Sequence, residues 1–235
     1  MMSSATVDHT NFPKIPSFLG EGIRGLRALR ALLRDPEDLP QVFTIIEALS
    51  GGARARLVRG FQRSEVGRRL LDERQDIVPL LCDREGLAAL PEGSLGRAYL
   101  ALITAAGISA EGIVEASQRG EKMSMQQSHE AYVHERMRDT HDLWHAVTGY
   151  QTDVIGEAGL LAFTMAQNWN TGIALILLGG LIDGRFGRGA SYLFESFELG
   201  RQAAWLPSQR WEDLLARPLG EVRRELRVGP LPQAS

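Results

Sequence analysis

Arg138-Asp139-Thr140-His141-Asp142-Leu143-Trp144-His145, followed twelve residues later by Glu157, is the stretch around which this chain reads. Histidines at i and i+4 share one face of a helix, one turn apart. His141 and His145 can therefore aim their rings at one point, with Asp142 flanking that face. Gly149-Tyr150-Gln151-Thr152-Asp153 breaks the helix, and Asp153 suits the N-cap of a following one. His145 and Glu157 lie equally far from Gln151, so a reversal there turns Glu157 back to face His145. The result is a helical hairpin carrying four N/O donors. Such a set suits a divalent metal, and imidazole with carboxylate fits zinc or iron better than calcium.

Outward from the hairpin the same helical signals recur. Residues 1–20 read as a tail. A short helix follows over 22–34, with Leu26, Leu29 and Leu33 as its apolar stripe and Arg24, Arg27, Arg30 and Arg34 beside it. Asp35-Pro36-Glu37-Asp38 is a capped helix start, and Gly51-Gly52 is its stop. Residues 53–82 suggest two further pieces with Leu57, Phe61, Val66, Leu70 and Leu71 inside. The turn Leu90-Pro91-Glu92-Gly93-Ser94 starts a helix ending near Gly107, and a short helix is expected over 109–117. A long helix is expected from Ser128 to Tyr150 and a return helix from Asp153 to Ala166. Apolar Thr171–Ile182, amphipathic Ala190–Leu206, a short piece with Trp211 and Leu214, and 218–227 complete the series. No segment alternates with period two. The expectation is an all-α single domain over 21–228, about nine or ten helices in an orthogonal or bundled array around the metal hairpin, with tails at 1–20 and 229–235.

Composition removes several function classes. The 26 Lys and Arg against 29 Asp and Glu give a net charge of -3, which offers no electrostatic footing for nucleic acid. The single Cys82 excludes an internal disulfide framework and fits a reducing compartment. No apolar run reaches the roughly 20 residues a membrane span needs, and the N-terminal residues carry no secretory or mitochondrial signal. There is no CxxC pair, no Walker loop, no GxGxxG opening a helix after a strand, and no G-x-S-x-G element. The motif is not the metalloprotease HExxH either. An His-Asp phosphohydrolase needs further ligands, and His129, His134 and Asp183 are poorly spaced for that.

Around the hairpin, Arg138 lies on the stripe of His141 and Asp142. It suits a substrate carboxylate, or equally a helix-holding bridge to Asp142. Either Asp142 or Glu157 can be a ligand or a group that orients a histidine. Tyr150 reads as a turn tyrosine packed on the core, or else a hydrogen-bond partner for a phenol, and His134 as a surface or core residue rather than a ligand. Leu160, Leu161, Phe163, Met165, Ile173 and Leu177 form an apolar stretch that is ordinary core or the wall of a lipid tunnel.

The spacing His141-Asp142-Leu143-Trp144-His145, eleven residues, Glu157 resembles the signature of the ubiquinone (coenzyme Q) biosynthesis protein four family. Gly67-Arg68-Arg69-Leu70-Leu71, Leu90 to Tyr99 and Arg210-Trp211-Glu212 extend the resemblance over residues 31–228. The Arg-rich stretch before residue 35 and the lack of a mitochondrial targeting segment depart from it and suggest a bacterial-type member. The resemblance implies an all-helical fold and a metal site of His141, Asp142, His145 and Glu157. The ion would be Zn2+, or another divalent ion such as Fe2+ or Mn2+. It also implies decarboxylation at C1 of a polyprenylated 4-hydroxybenzoate-derived ring, coupled to hydroxylation there, with Arg138 at the site and the isoprenoid tail along Leu160 to Leu177. The implied partners are the other enzymes of ubiquinone biosynthesis and the membrane surface, on the cytoplasmic inner face of a bacterial membrane. A second copy of the chain is a further candidate. The alternative is a non-catalytic lipid-binding scaffold that organises those enzymes.

Overall fold

In a computed structural model, residues 17–34, 52–108, 128–182 and 189–232 are described, with Gln41, Thr44, Ile45, Gly112 and Gly184 between them. Helices α1 (Ser17–Arg34), α2 (Ala53–Arg63), α3 (Glu65–Glu73), α4 (Val78–Cys82), α5 (Arg84–Ala89) and α6 (Leu95–Ala105) form the first half. The second half holds α7 (His129–Asp139), α8 (His141–Thr148), α9 (Val154–Asn168), α10 (Thr171–Ile182), α11 (Ala190–Gln202), α12 (Trp211–Leu214) and α13 (Leu219–Glu225). A 3-10 turn at Leu206–Ser208 separates α11 from α12. Among the described residues there is no β-strand, only an isolated bridge between Ser94 and Pro218. The all-α architecture is as expected. The helix number exceeds nine or ten because α4, α5 and α12 span only 4 to 6 residues, too few to display a period. The helix expected over 36–50 and the one over 109–117 lie, but for single residues, outside the described residues.

Caps mark the boundaries as the side chains dictate. Ser64, Asp83, Ser94, Ser128 and Asp153 each accept a hydrogen bond from the backbone N–H three residues on. Three local expectations are corrected. The helix over 128–150 is two helices, because Thr140 leaves the helical range at φ -93, ψ 2 while its hydroxyl donates back to the Arg136 carbonyl at 2.8 Å. On α1 Ala28 and Leu32 are buried and Leu29 is partly buried beside them as expected, whereas Leu26 is 60% exposed. Helix α1 lies on α10, where Ala28 and Leu32 meet Ile176 and, on α9, Leu161. Val66, expected in the core, is exposed on the outer side of α3.

Helix α8 sits at the centre. Six of its residues, Leu143 to Thr148, are buried. It packs between α6, α13 and α9, against Leu95, Tyr99, Ile103 and Val222. Each large apolar side chain so buried contributes about 1.5–3 kcal/mol relative to exposure. Helices α9 and α11 pack closely along their length. A Cβ at Gly200 would run into the Phe163 carbonyl, so only glycine allows it. Gln167 fastens this crossing: its amide donates to the Gly200 carbonyl and its oxygen accepts from Leu206 N at 2.9 Å.

The C-terminal helices close the molecule over α6 and α8. Leu95 N and Gly96 N donate to the carbonyls of Arg217 and Leu215 at 3.0 and 2.8 Å, and Leu219 N donates to Gly93 O at 2.8 Å. Arg223 on α13 reaches the C-terminal end of α8 and donates through Nε to Val147 O at 2.8 Å. A cation there meets both unsatisfied carbonyls and the negative end of the helix dipole. On the other side, Arg136 of α7 forms a two-pronged pair with Glu212 of α12, both bonds 2.9 Å, and also donates to Gln209 O at 3.0 Å. Their side chains are 2% and 5% exposed, so this is an interior ion pair.

Candidate metal centre

The reversal that sets the site is Gly149 to Asp153. Gly149 takes φ 94 and its N–H returns to His145 O at 2.7 Å, ending α8 in a left-handed cap that L side chains resist. Asp153 then accepts from Gly156 N at 2.7 Å and starts α9. Glu157, in the first turn of α9, therefore faces the two histidines of α8 as the spacing predicts.

The three side chains converge. His145 Nε2 lies 3.1 Å from Glu157 Oε1 and 3.3 Å from His141 Nε2, and His141 Nε2 lies 3.6 Å from Glu157 Oε2. All three offer a ligand atom within 4.8 Å of one another. His145 Nδ1 is 3.0 Å from the Tyr150 carbonyl, which can only accept, so Nδ1 carries the proton and the neutral ring keeps its lone pair on Nε2. Three lone-pair atoms pointed at one another require a proton or a cation between them. The three separations, 3.1, 3.3 and 3.6 Å, bracket the roughly 3.3–3.4 Å between donors of a tetrahedral ion with bonds of about 2.0–2.1 Å. The donor set thus fits a zinc-like divalent ion. His145 is wholly buried, whereas His141 and Glu157 are 43% and 39% exposed, which leaves one side open.

The charges follow the geometry. Desolvation opposes protonation of His141, but the hydrogen bond and charge of Glu157 and the charge of Asp142 outweigh it and raise its pKa. Desolvation likewise works against the Glu157 carboxylate, yet the hydrogen bonds and charges of His141 and His145 bring its pKa down to about 2. Burial pushes the Tyr99 phenol up, and the nearby Asp142 carboxylate adds to it.

Of the residues expected at the site, the structure joins His141, His145 and Glu157. Asp142 stands outside that group, between His141 and Tyr99 in its electrostatic reach. Arg138 pairs through Nε with Asp139 at 3.0 Å. Tyr150 is buried, packed edge-on against Tyr192. His134 is exposed. Leu160, Phe163, Ile173 and Leu177 are buried in the main core, with Leu161 and Met165 partly buried at its edge. Sequence reading did not find the Tyr150 carbonyl that orients His145, since a backbone acceptor leaves no mark in residue identity. It also missed the Arg136–Glu212 pair, although the Arg210-Trp211-Glu212 run pointed at one partner.

Fold and site together define an all-helical protein with a preformed two-histidine, one-carboxylate centre on a helical hairpin. The sequence profile described as Coenzyme Q (ubiquinone) biosynthesis protein Coq4 matches residues 11–232. The chain belongs to this family, and its role lies in ubiquinone biosynthesis. It is similar to the mitochondrial ubiquinone biosynthesis protein COQ4 homolog 1 of Culex quinquefasciatus, 29% identical over 89% of this chain and 75% of the relative. The mitochondrial COQ4 homolog of Rattus norvegicus is 31% identical over 71% of this chain and 62% of its own length. A solved structure of a Nostoc punctiforme protein, provisionally assigned to ubiquinone biosynthesis, shares the fold: TM-score 0.65, 24% identity, 88% of this chain and 98% of that one. Among the described residues no helix is long and apolar enough to cross a membrane.

Proposed function

We propose that the chain is a metal-dependent, membrane-peripheral enzyme that removes the C1 carboxyl of a polyprenylated 4-hydroxybenzoate-derived ring, with hydroxylation at that carbon. The observation that carries this reading is the convergence of His141, His145 and Glu157 on one point with an open side. When bound there, a divalent ion supplies Lewis acidity toward a carboxylate or an attacking oxygen. His141, His145 and Glu157 hold it. The Tyr150 carbonyl fixes the His145 ring so that Nε2 stays available. Asp142 supports positive charge on His141, and Arg138, whose Nε donates to Asp139, is the proposed partner for a substrate carboxylate.

The phenolate para to the carboxyl raises electron density at C1, so that carbon bonds to an electrophilic oxygen; CO2 then leaves, and the pair from the broken C–C bond restores the aromatic ring. Replacing carboxyl by hydroxyl is a two-electron oxidation, and dioxygen accepts those electrons as it is reduced to hydrogen peroxide: ArCOOH + O2 + H2O gives ArOH + CO2 + H2O2. Leu161, one turn along α9 from Glu157, and Met165 are partly buried at the edge of the core and are the proposed rest for an isoprenoid tail, with Leu160, Phe163, Ile173 and Leu177 buried in the same core. We place the protein on the inner face of the membrane beside the other enzymes of the pathway.

The test is conversion of prenylated 4-hydroxybenzoate-type substrate by the purified, metal-loaded protein under air. The expected result is CO2 release with a C1-hydroxylated product, lost together with bound metal in a His141→Ala, Glu157→Ala variant. Full turnover by that variant without metal overturns the reading. Lipid binding without turnover by the wild type would instead favour a scaffold.

A further inference from the structure

A second site lies at the opposite end of α9 from Glu157, about 18 Å along the helix at 1.5 Å per residue. It is a groove of about 650 Å³ between α2 and the turn that joins α9 to α10. Arg56, Arg59 and Arg63 line it from α2, and no carboxylate does. Spaced by three and four residues, these arginines project from one stripe of the helix. Like charges so placed repel one another, and a multiply charged anion removes that repulsion.

The rest of the wall is already satisfied. Gln167 is spent on Gly200 and Leu206, Trp205 Nε1 donates to Gln167 O at 2.9 Å, and Ser64 caps α3. Arg56 donates to Trp169 O at 2.7 Å. Arg59 and Arg63 are exposed and make no hydrogen bond or ion pair among the described residues. At the lip, Trp169 is 62% exposed, yet its position is fixed: φ is 51, and its ring meets Phe197 edge-on at 5.8 Å. An indole held in solvent beside free guanidiniums offers an apolar face next to a doubly cationic one.

We propose that this groove binds a phosphomonoester with an apolar or aromatic body, its phosphate held by Arg59 and Arg63 and its body lying against Trp169. The dianion takes charge-assisted, two-pronged bonds from guanidinium. Its source is either a soluble phosphate ester or a lipid headgroup, and one experiment separates them.

Binding of phenyl phosphate in solution is measured by calorimetry, and binding to phosphatidylcholine vesicles with and without phosphatidic acid by co-flotation. The expected result is binding by the wild type and a loss of about tenfold or more in Arg59→Gln, Arg63→Gln. The Arg27→Gln, Arg30→Gln variant removes the same charge from α1 and is expected to bind as the wild type does. Arg63→Gln alone is expected to lose several-fold, should the double variant fold poorly. Binding in both formats identifies the free ester, and binding only to phosphatidic acid vesicles identifies the headgroup. The proposal is overturned if neither probe binds, if the groove variants match the wild type, or if the α1 variant loses as much as they do.

Discussion

Removing one partner of the Arg136–Glu212 pair strands the other charge in the interior. Arg136→Ala is expected to cost about 3–5 kcal/mol by urea unfolding, while the double change Arg136→Met, Glu212→Leu costs much less because no charge remains buried. At the metal centre the sign runs two ways with pH in chelator-treated protein. Glu157 has a folded pKa of about 2 against 4.5, so its contribution is present above 4.5 and lost as pH falls toward 2. His141 has a raised pKa, so its contribution is full below 6.5 and lost as pH climbs through the higher folded value. Stability from this pair therefore peaks between 4.5 and 6.5. Thermal melts across pH should show a maximum there, and Glu157→Gln should flatten it. The approach of His141, His145 and Glu157 was legible in the sequence because a helix repeats every 3.6 residues and the reversal at Gln151 is short. Arg136 was not, since its partner stands 76 positions away and nothing local couples them.

At the scale of elements, the break at Thr140 gives α8 its own first turn, with His141 at its start rather than in mid-helix. Period alone cannot reveal such a break, because the apolar pattern runs on through it; the backbone angle of Thr140 decides it. The start of α9 was legible, since Asp153 is an ordinary capping residue. Asp153→Ala is expected to lose about 0.5–2 kcal/mol. It should also weaken metal binding, as Glu157 sits in the turn being capped; titration with a zinc indicator beside a melt separates the two effects. Gly200→Ala tests the α9–α11 crossing, where a methyl group meets backbone rather than a yielding side chain. Overpacking of this kind costs about 1–3 kcal/mol, and chemical denaturation should show it without change in metal content.

For the whole molecule, the all-α class and the hairpin were readable from caps and period, whereas the packing partners were not. Nothing in the spacing of Leu26 and Leu29 says that α1 leaves Leu26 exposed and turns Ala28 and Leu32 inward beside Leu29; the surface of α10 decides that. The arginine of α13 that caps α8 is equally silent in sequence, being one of many arginines. Arg223→Gln is expected to destabilise the protein by about 1.5–3 kcal/mol, the worth of a hydrogen bond to a charged group, and to lower helicity at the metal hairpin by hydrogen exchange. The same arginine has a consequence for the order in which the protein comes into being. A ribosome releases the chain from its N-terminal end, so His141, His145 and Glu157 have all emerged while the residues that seal α8 are still being made. Until Leu219–Glu225 is synthesised, the nascent helix α8 lacks the Arg223 seal, so the end of the helix that carries His141 and His145 is closed only after α13 follows.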